Sequence, residues 1–203
     1  MFKKAAGLIA LAAIAASICF AARAYADTPK TETIVLAGGC FWGVEAVFQH
    51  TKGVTDAVSG YAGGKADTAK YDLVSGGNTG HAEAVQVTYD PNQITLDKLL
   101  DVYFTVAHNP TQLNYQGPDH GTQYRSAVFY STPEQKKAVE AKIATLKSSE
   151  PVVTKLELLD TFYAAEGYHQ NYLAQHPYQP YIVINDVPKI AALEKQFPDL
   201  YRK

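Results

Sequence analysis

Cys40 stands where the chain can make a thiol reactive. In Gly38-Gly39-Cys40-Phe41-Trp42-Gly43 a β-rich run ends, two glycines permit a tight turn, and a helical pattern starts at the sulfur. A helix N-terminus carries roughly half a positive charge and several unpaired N–H donors. Both favour a thiolate, which predicts a Cys40 pKa below the usual ~8.5 and a nucleophilic sulfur. The alternative is an inert cysteine packed as a small hydrophobe. Phe41 and Trp42 are either core residues or walls of an apolar pocket over the sulfur. Glu83 is the second residue of interest. It shares strand parity with Val85 and Val87, which puts its carboxyl on the apolar side of that strand.

The elements that must position these groups follow from periodicity. Thr33-Ile34-Val35-Leu36 is β-rich, and Phe41, Val44, Val47 and Phe48 recur at helical spacing between Cys40 and His50. Val54 to Tyr61 alternates into a turn at Gly63-Gly64, and Ala82 to Tyr89 alternates clearly. Thr95 starts an amphipathic helix marked by Leu96, Leu99, Leu100, Tyr103 and Ala107. Ser126 to Tyr130 reads as a strand. Thr132-Pro133-Glu134-Gln135 combines an N-cap, Pro at N1 and a capping-box Gln, opening a helix with Val139, Ile143 and Leu146 on one stripe. Val152 to Leu158 reads as a strand and Glu166 to His176 as a helix. Strands and helices mixed in this order predict one α+β unit, a sheet layered with helices. The pattern does not encode strand order.

Composition narrows the setting. The chain has 203 residues, 47% hydrophobic and 19% charged, which excludes a disordered or collagen-like chain. With 18 Lys plus Arg against 20 Asp plus Glu, it lacks the positive charge of a nucleic-acid binder. Lys3 and Lys4 precede an alanine-rich apolar run from Ala5 to Ala22, and Ala24-Tyr25-Ala26 supplies a small-x-small cleavage pattern. Residues 1–26 therefore read as a signal peptide and 27–203 as one catalytic domain, exported and, in a host with an outer membrane, periplasmic. The run is too short and too rich in Ala for a good membrane anchor, so no stable membrane association is expected after cleavage. Removing the leader takes Lys3, Lys4 and Arg23 and shifts the net charge from −2 to −5. It also takes Cys19 and leaves Cys40 as the single cysteine. A lone cysteine outside the cytosol is buried, paired with another chain, or reactive.

A series of motifs then becomes recognisable. Gly39-Cys40-Phe41-Trp42-Gly43 resembles the signature of the A-type peptide methionine sulfoxide reductases. Gly60-Tyr61-Ala62-Gly63-Gly64, Thr79-Gly80-His81-Ala82-Glu83-Ala84-Val85 and Tyr89-Asp90-Pro91 are similar to family motifs in family order. The same holds for Asp119 to Ser126 and for Ala165 to Leu173, so the resemblance spans about residues 31 to 181.

The resemblance implies a two-layer α/β sandwich with a ferredoxin-like-related core, and reduction of the S epimer of methionine sulfoxide for protein repair. It casts Cys40 as the nucleophile and Glu83 as the acid that protonates the sulfoxide oxygen. Tyr71 and Tyr124 would hold that oxygen, Asp119 would organise the site, and Phe41 and Trp42 would enclose the substrate methyl. Glu83 must then stay protonated near neutral pH, which burial against aromatics would achieve. His81, His120 and His169 receive no catalytic part, and none forms a tight metal-ligand spacing, so no metal is expected. No nucleotide or flavin loop is present, so no organic cofactor is expected either.

Many family members carry C-terminal cysteines that resolve the oxidised enzyme, whereas here the tail from His176 to Lys203 has none. A Cys40 sulfenic acid would therefore be reduced by an external thiol, either thioredoxin-like or small. The expected partners are oxidised proteins and this reductant, with the chain itself a monomer. Two other classes remain open on the residues alone. One is a cysteine hydrolase with a Cys40–His169 dyad. The other is a non-catalytic module that captures apolar peptides.

Overall fold

The computed structural model describes residues 31–203. The expected signal peptide over residues 1–26 lies outside them. The first strand, β1 (Glu32–Ala37), runs into α1 (Phe41–Gln49), followed by β2 (Val54–Ala62), α2 (Tyr71–Val74) and β3 (Ala82–Tyr89). Next come α3 (Leu96–Val102), the hairpin β4 (Tyr115–Gln116) and β5 (Asp119–His120), and β6 (Ala127–Tyr130). The chain closes with α4 (Pro133–Thr145), β7 (Lys155–Leu158), β8 (Phe162–Ala164), α5 (Tyr172–Gln175) and α6 (Val187–Gln196).

Six strands form a mixed sheet in the order β7-β6-β1-β3-β2-β8. Only β6 and β7 run parallel among the described pairs. Side-chain alternation makes the two faces unequal. One face presents Ile34, Leu36, Val85 and Val87, which pack with Phe41, Val44, Val47 and Phe48 of α1 and with Leu99 and Leu100 of α3. The other presents Val35, Ala37, Ala62, Ala82, Ala84, Ala127 and Phe129, met by Leu159 and Phe162. The helices lie against the face with large apolar side chains because only that face has enough area to bury. This is the expected α+β sandwich.

The helix starts follow the expected chemistry. Thr95 Oγ1 accepts the Lys98 N–H at 3.3 Å, and Thr132 Oγ1 accepts the Gln135 N–H at 3.2 Å. Gln135 Oε1 reaches back to the Ser131 N–H at 2.8 Å while its amide donates to the Thr33 carbonyl at 2.7 Å, tying α4 to β1.

Three elements differ from the sequence expectation. The helix predicted over Glu166 to His176 is a 3₁₀ turn (Gly167–His169) followed by the one-turn α5. Between them Asn171 adopts φ 54°, its N–H donating to Glu45 Oε2 at 3.0 Å and its Oδ1 accepting from Gln49 at 2.7 Å. These bonds to α1 replace the helical ladder. The Leu96 to Ala107 helix keeps α geometry only to Val102 and then widens into a π turn at Tyr103–Ala107. The strand expected from Val152 starts at Lys155, and β8 and α6 were not anticipated.

Leu99 is fully buried on the helical face, so Leu99→Ala should lower unfolding stability by about 2–5 kcal/mol. The exposed cap change Thr132→Ala should cost only about 1 kcal/mol, both read by urea denaturation.

Candidate active site

The turn that carries the thiol is locked from below. A Cβ on Gly38 would lie 2.5 Å from the His108 ring, and Gly39 holds φ +90°, so neither position accepts another residue without strain. His108 is itself fixed, with Nε2 2.7 Å from Ser126 Oγ and Nδ1 3.0 Å from the Tyr103 carbonyl. The Tyr103 hydroxyl donates to the Ala37 carbonyl at 2.7 Å, anchoring the last residue of β1. Cys40 then occupies the N-cap position of α1, with only 8% of its surface exposed.

Glu83 sits beneath it. The β3 alternation turns its carboxyl onto the helical face as expected, leaving it 2% exposed, and Oε2 accepts the Phe41 N–H at 3.1 Å. Burial pushes the Glu83 pKa up to about 8, with the charge of Asp119 adding to the shift and the Phe41 N–H opposing it. Glu83 is thus largely a carboxylic acid at neutral pH.

The expected depression of the Cys40 pKa does not occur. Burial raises it well above the ordinary value, and the nearby carboxyls of Glu83 and Asp186 raise it further. The Trp42 backbone N–H and the Lys189 ammonium pull the other way but do not win. A helix N-terminus stabilises an anion by at most a few kcal/mol, whereas removing the thiolate from water costs more. The resting sulfur is therefore a thiol.

The polar groups expected around it converge on the same place. Tyr71 starts α2, where its backbone N–H donates to Glu166 Oε1 at 2.9 Å; the Tyr61 hydroxyl donates to Glu166 Oε2 at 2.8 Å. Burial pushes the Tyr71 pKa up to about 12, and the charges of Glu83 and Cys40 contribute. Tyr124 is also raised, by burial first and then by Glu83, Asp119 and Cys40. Both phenols therefore remain protonated donors. Asp119, on the β4–β5 hairpin, accepts a hydrogen bond from the Tyr181 hydroxyl.

Of the two aromatic candidates, Trp42 is half-buried and Phe41 wholly buried. Trp42 stacks on Tyr172 at 3.7 Å between ring centres and meets the edge of Tyr181 at 5.9 Å. Its indole N–H donates to His169 Nδ1 at 3.1 Å. That bond uses the imidazole on Trp42, and no Cys40–His169 hydrogen bond is found among the described residues, against the hydrolase dyad.

Sequence reasoning missed Tyr181, Glu166 and Asp186. Glu166 lies inside a motif that had been singled out, but treating that stretch as helix hid its reach to Tyr61 and Tyr71. Tyr181 and Asp186 come from a tail without strong periodicity. Asp186 is fully buried, bonds Lys189 at 3.2 Å, and fills the space a Cβ on Gly43 would need in the first turn of α1.

The Trp42–His169 bond provides a direct test of this geometry. Burial lowers the His169 pKa below its ordinary 6.5, and the protonated ring has no lone pair on Nδ1 to accept the indole. Emission from Trp42, the only tryptophan, should change as pH falls, with a midpoint below 6.5, and His169→Gln should abolish that transition.

Comparison with known proteins agrees with this arrangement. The family model described as peptide methionine sulfoxide reductase matches residues 32–201. The chain is 55% identical over 177 residues to peptide methionine sulfoxide reductase MsrA 2 of Mesorhizobium japonicum, covering 85% of this chain and 91% of that protein. It is 46% identical over 173 residues to a protein of the same name from Synechocystis, covering 83% of this chain and 81% of that one. Among solved structures, methionine sulfoxide reductase A of Corynebacterium diphtheriae superposes with a TM-score of 0.66 at 38% identity, covering 75% of this chain and 79% of that one. Reduced Mxr1 of Saccharomyces cerevisiae gives 0.65 at 38% identity, covering 75% and 90%. A buried thiol beside a protonated carboxyl, ringed by phenols and matched across nearly the whole described chain, identifies it as a member of the A-type peptide methionine sulfoxide reductase family.

Proposed function

We propose that this enzyme repairs the S epimer of methionine sulfoxide in oxidised proteins and peptides, with Cys40 as nucleophile and Glu83 as proton donor. The observation that carries the assignment is the Glu83 carboxyl, buried against the head of the Cys40 helix and protonated up to about pH 8. A sulfoxide sulfur is electrophilic, but its oxygen cannot leave as an oxide. Tyr71 and Tyr124 donate hydrogen bonds to that oxygen, and Trp42 walls the methyl side, backed by Phe41. Asp119, held by Tyr181, orders the rim.

The proton balance suits two neutral groups at rest. Cys40 sulfur attacks the oxygen-bearing sulfur while Glu83 gives its proton to the oxygen. The proton released by the thiol returns to Glu83. The S–S bond made in the attack and the methionine S–O bond both break as the hydroxyl passes to the Cys40 sulfur, and methionine leaves with Cys40 as the sulfenic acid. A donor thiol then attacks the sulfenic sulfur, releasing water and leaving a mixed disulfide. A second thiol of the donor restores Cys40 and carries away the disulfide. Cys40 is the only cysteine among the described residues, so resolution falls to an external dithiol of thioredoxin type or to small thiols. The basic, apolar and small-x-small segments of residues 1–26 support export, placing this monomer in the periplasm of a host that has one.

Purified protein with dithiothreitol should form methionine from the S sulfoxide and not from the R form. Cys40→Ser should abolish turnover, and Glu83→Gln should slow sulfoxide reduction by roughly 10²–10⁴-fold, the usual worth of a positioned acid. Because the Glu83 pKa is raised, its proton is present below about pH 8 and lost above. Its ionisation would also raise the Cys40 pKa further, so the single-turnover rate should fall on the alkaline side of about 8. Without reductant, one enzyme should yield one methionine, and mass spectrometry should find Cys40 sulfenate. Two methionines per enzyme, or a disulfide within the monomer, would contradict the cycle.

A further inference from the structure

The large apolar side chains left in solvent are concentrated on the segments that wall the Cys40 site. Leu73 is exposed two residues beyond Tyr71, and Tyr168 is exposed next to His169. On the far side, Tyr178 is 91% and Ile184 70% exposed, with Val183 and Val187 also open to solvent. These four flank Tyr181 and Asp186, which turn inward. Val183 and Ile184 lie four and three residues before Val187, so the three share one outward helical face, while Ile182 and Asp186 fill the inward one. From Tyr178 to Val187 the only ionisable acid or base apart from tyrosine is Asp186, which is buried on Lys189. Among the described residues, two others of this kind, Leu113 and Leu158, lie off these segments.

Scattered apolar residues on a surface need no explanation, but a group carried on the segments that also supply Tyr71, His169 and Tyr181 to the site does. The polypeptide on either side of a reacting methionine is covalently tied to it. At roughly 3.3–3.6 Å per residue, the first two flanking positions on each side must cross whatever borders the pocket mouth. Methionine is predominantly a core residue, and its oxidation puts a polar group into an apolar surround. The neighbours that emerge with it when the core opens are themselves apolar. A reductant needs to reach only the sulfur, whereas the substrate's flanks cannot avoid this rim.

We propose that the apolar rim on residues 71–73, 168–169 and 178–187 binds the apolar residues flanking a methionine sulfoxide in an unfolded client polypeptide, and so selects former core methionines over polar surface ones. The inference rests on the sulfoxide reductase reading of the site. The rim acts through KM rather than through the chemical step, since none of its exposed members belongs to the reacting group set.

Three substrates separate the claims when assayed with saturating dithiothreitol. One is N-acetyl-methionine S-sulfoxide amide, and two are peptides with a central S-sulfoxide flanked by Leu and Val or by Ser and Asn. The apolar peptide should show a KM lower by about tenfold than the polar one, with similar kcat. The double change Val183→Ser with Ile184→Ser should remove most of that advantage, and Tyr178→Ser part of it, while turnover of the small amide stays unchanged. Equal KM values for the two peptides, or an advantage that survives both variants, would overturn the rim. A loss confined to the KM of a thioredoxin-type reductant would also overturn it, assigning the surface to the electron donor. Failure of the small amide to yield methionine would instead remove the underlying reductase reading.

Discussion

The site depends on the cost of burying two ionisable groups side by side at a helix start. Glu83 and Cys40 share a desolvated space that raises both pKa values, and a charge on Glu83 raises that of Cys40 further. Neither can ionise cheaply alone, so the resting state is the doubly protonated one. In the proposed cycle this is the useful state, since the leaving oxygen needs an acid and the attacking sulfur can shed its proton in the same event. The fold supports that state through ordinary packing. The β3 alternation sets Glu83 inward, α1 starts at Cys40, and Gly38 lets the turn sit tight on His108.

The surrounding groups are held by partners of their own. Glu166 is used up by Tyr61 and by the Tyr71 backbone, and Asp119 by Tyr181. The phenols are pushed toward the neutral donor form by burial and by the acids they face. Trp42 is held by stacking on Tyr172 and by its bond to His169, so the pocket wall has a fixed position before substrate arrives. Such preorganisation lets oxygen binding proceed with little rearrangement.

Much of this was legible in the residues themselves. Period-two alternation identified β3 and the inward face of Glu83, and the Gly-Gly-Cys boundary located the head of α1. The cap at Thr132 was readable because its signal is local. What failed was anything decided at long range. The direction of the Cys40 shift depends on total burial and on Asp186, which is 146 residues away in sequence. Asn171 leaves the helix because Glu45 and Gln49 of α1 claim its polar groups, a competition that no local pattern records. Tyr181 and Asp186 reach the site through the path of the tail.

The fit of Asp186 against Gly43 bears on how firmly the tail is held to α1. A carboxyl with no solvent exposure, paired with Lys189 and filling the space that Gly43 leaves in α1, welds the tail to the helix that Cys40 heads. Any displacement of Ile182–Asp186 away from α1 would have to unseat a buried ion pair, so this stretch of the tail is anchored as firmly as the sheet-facing core.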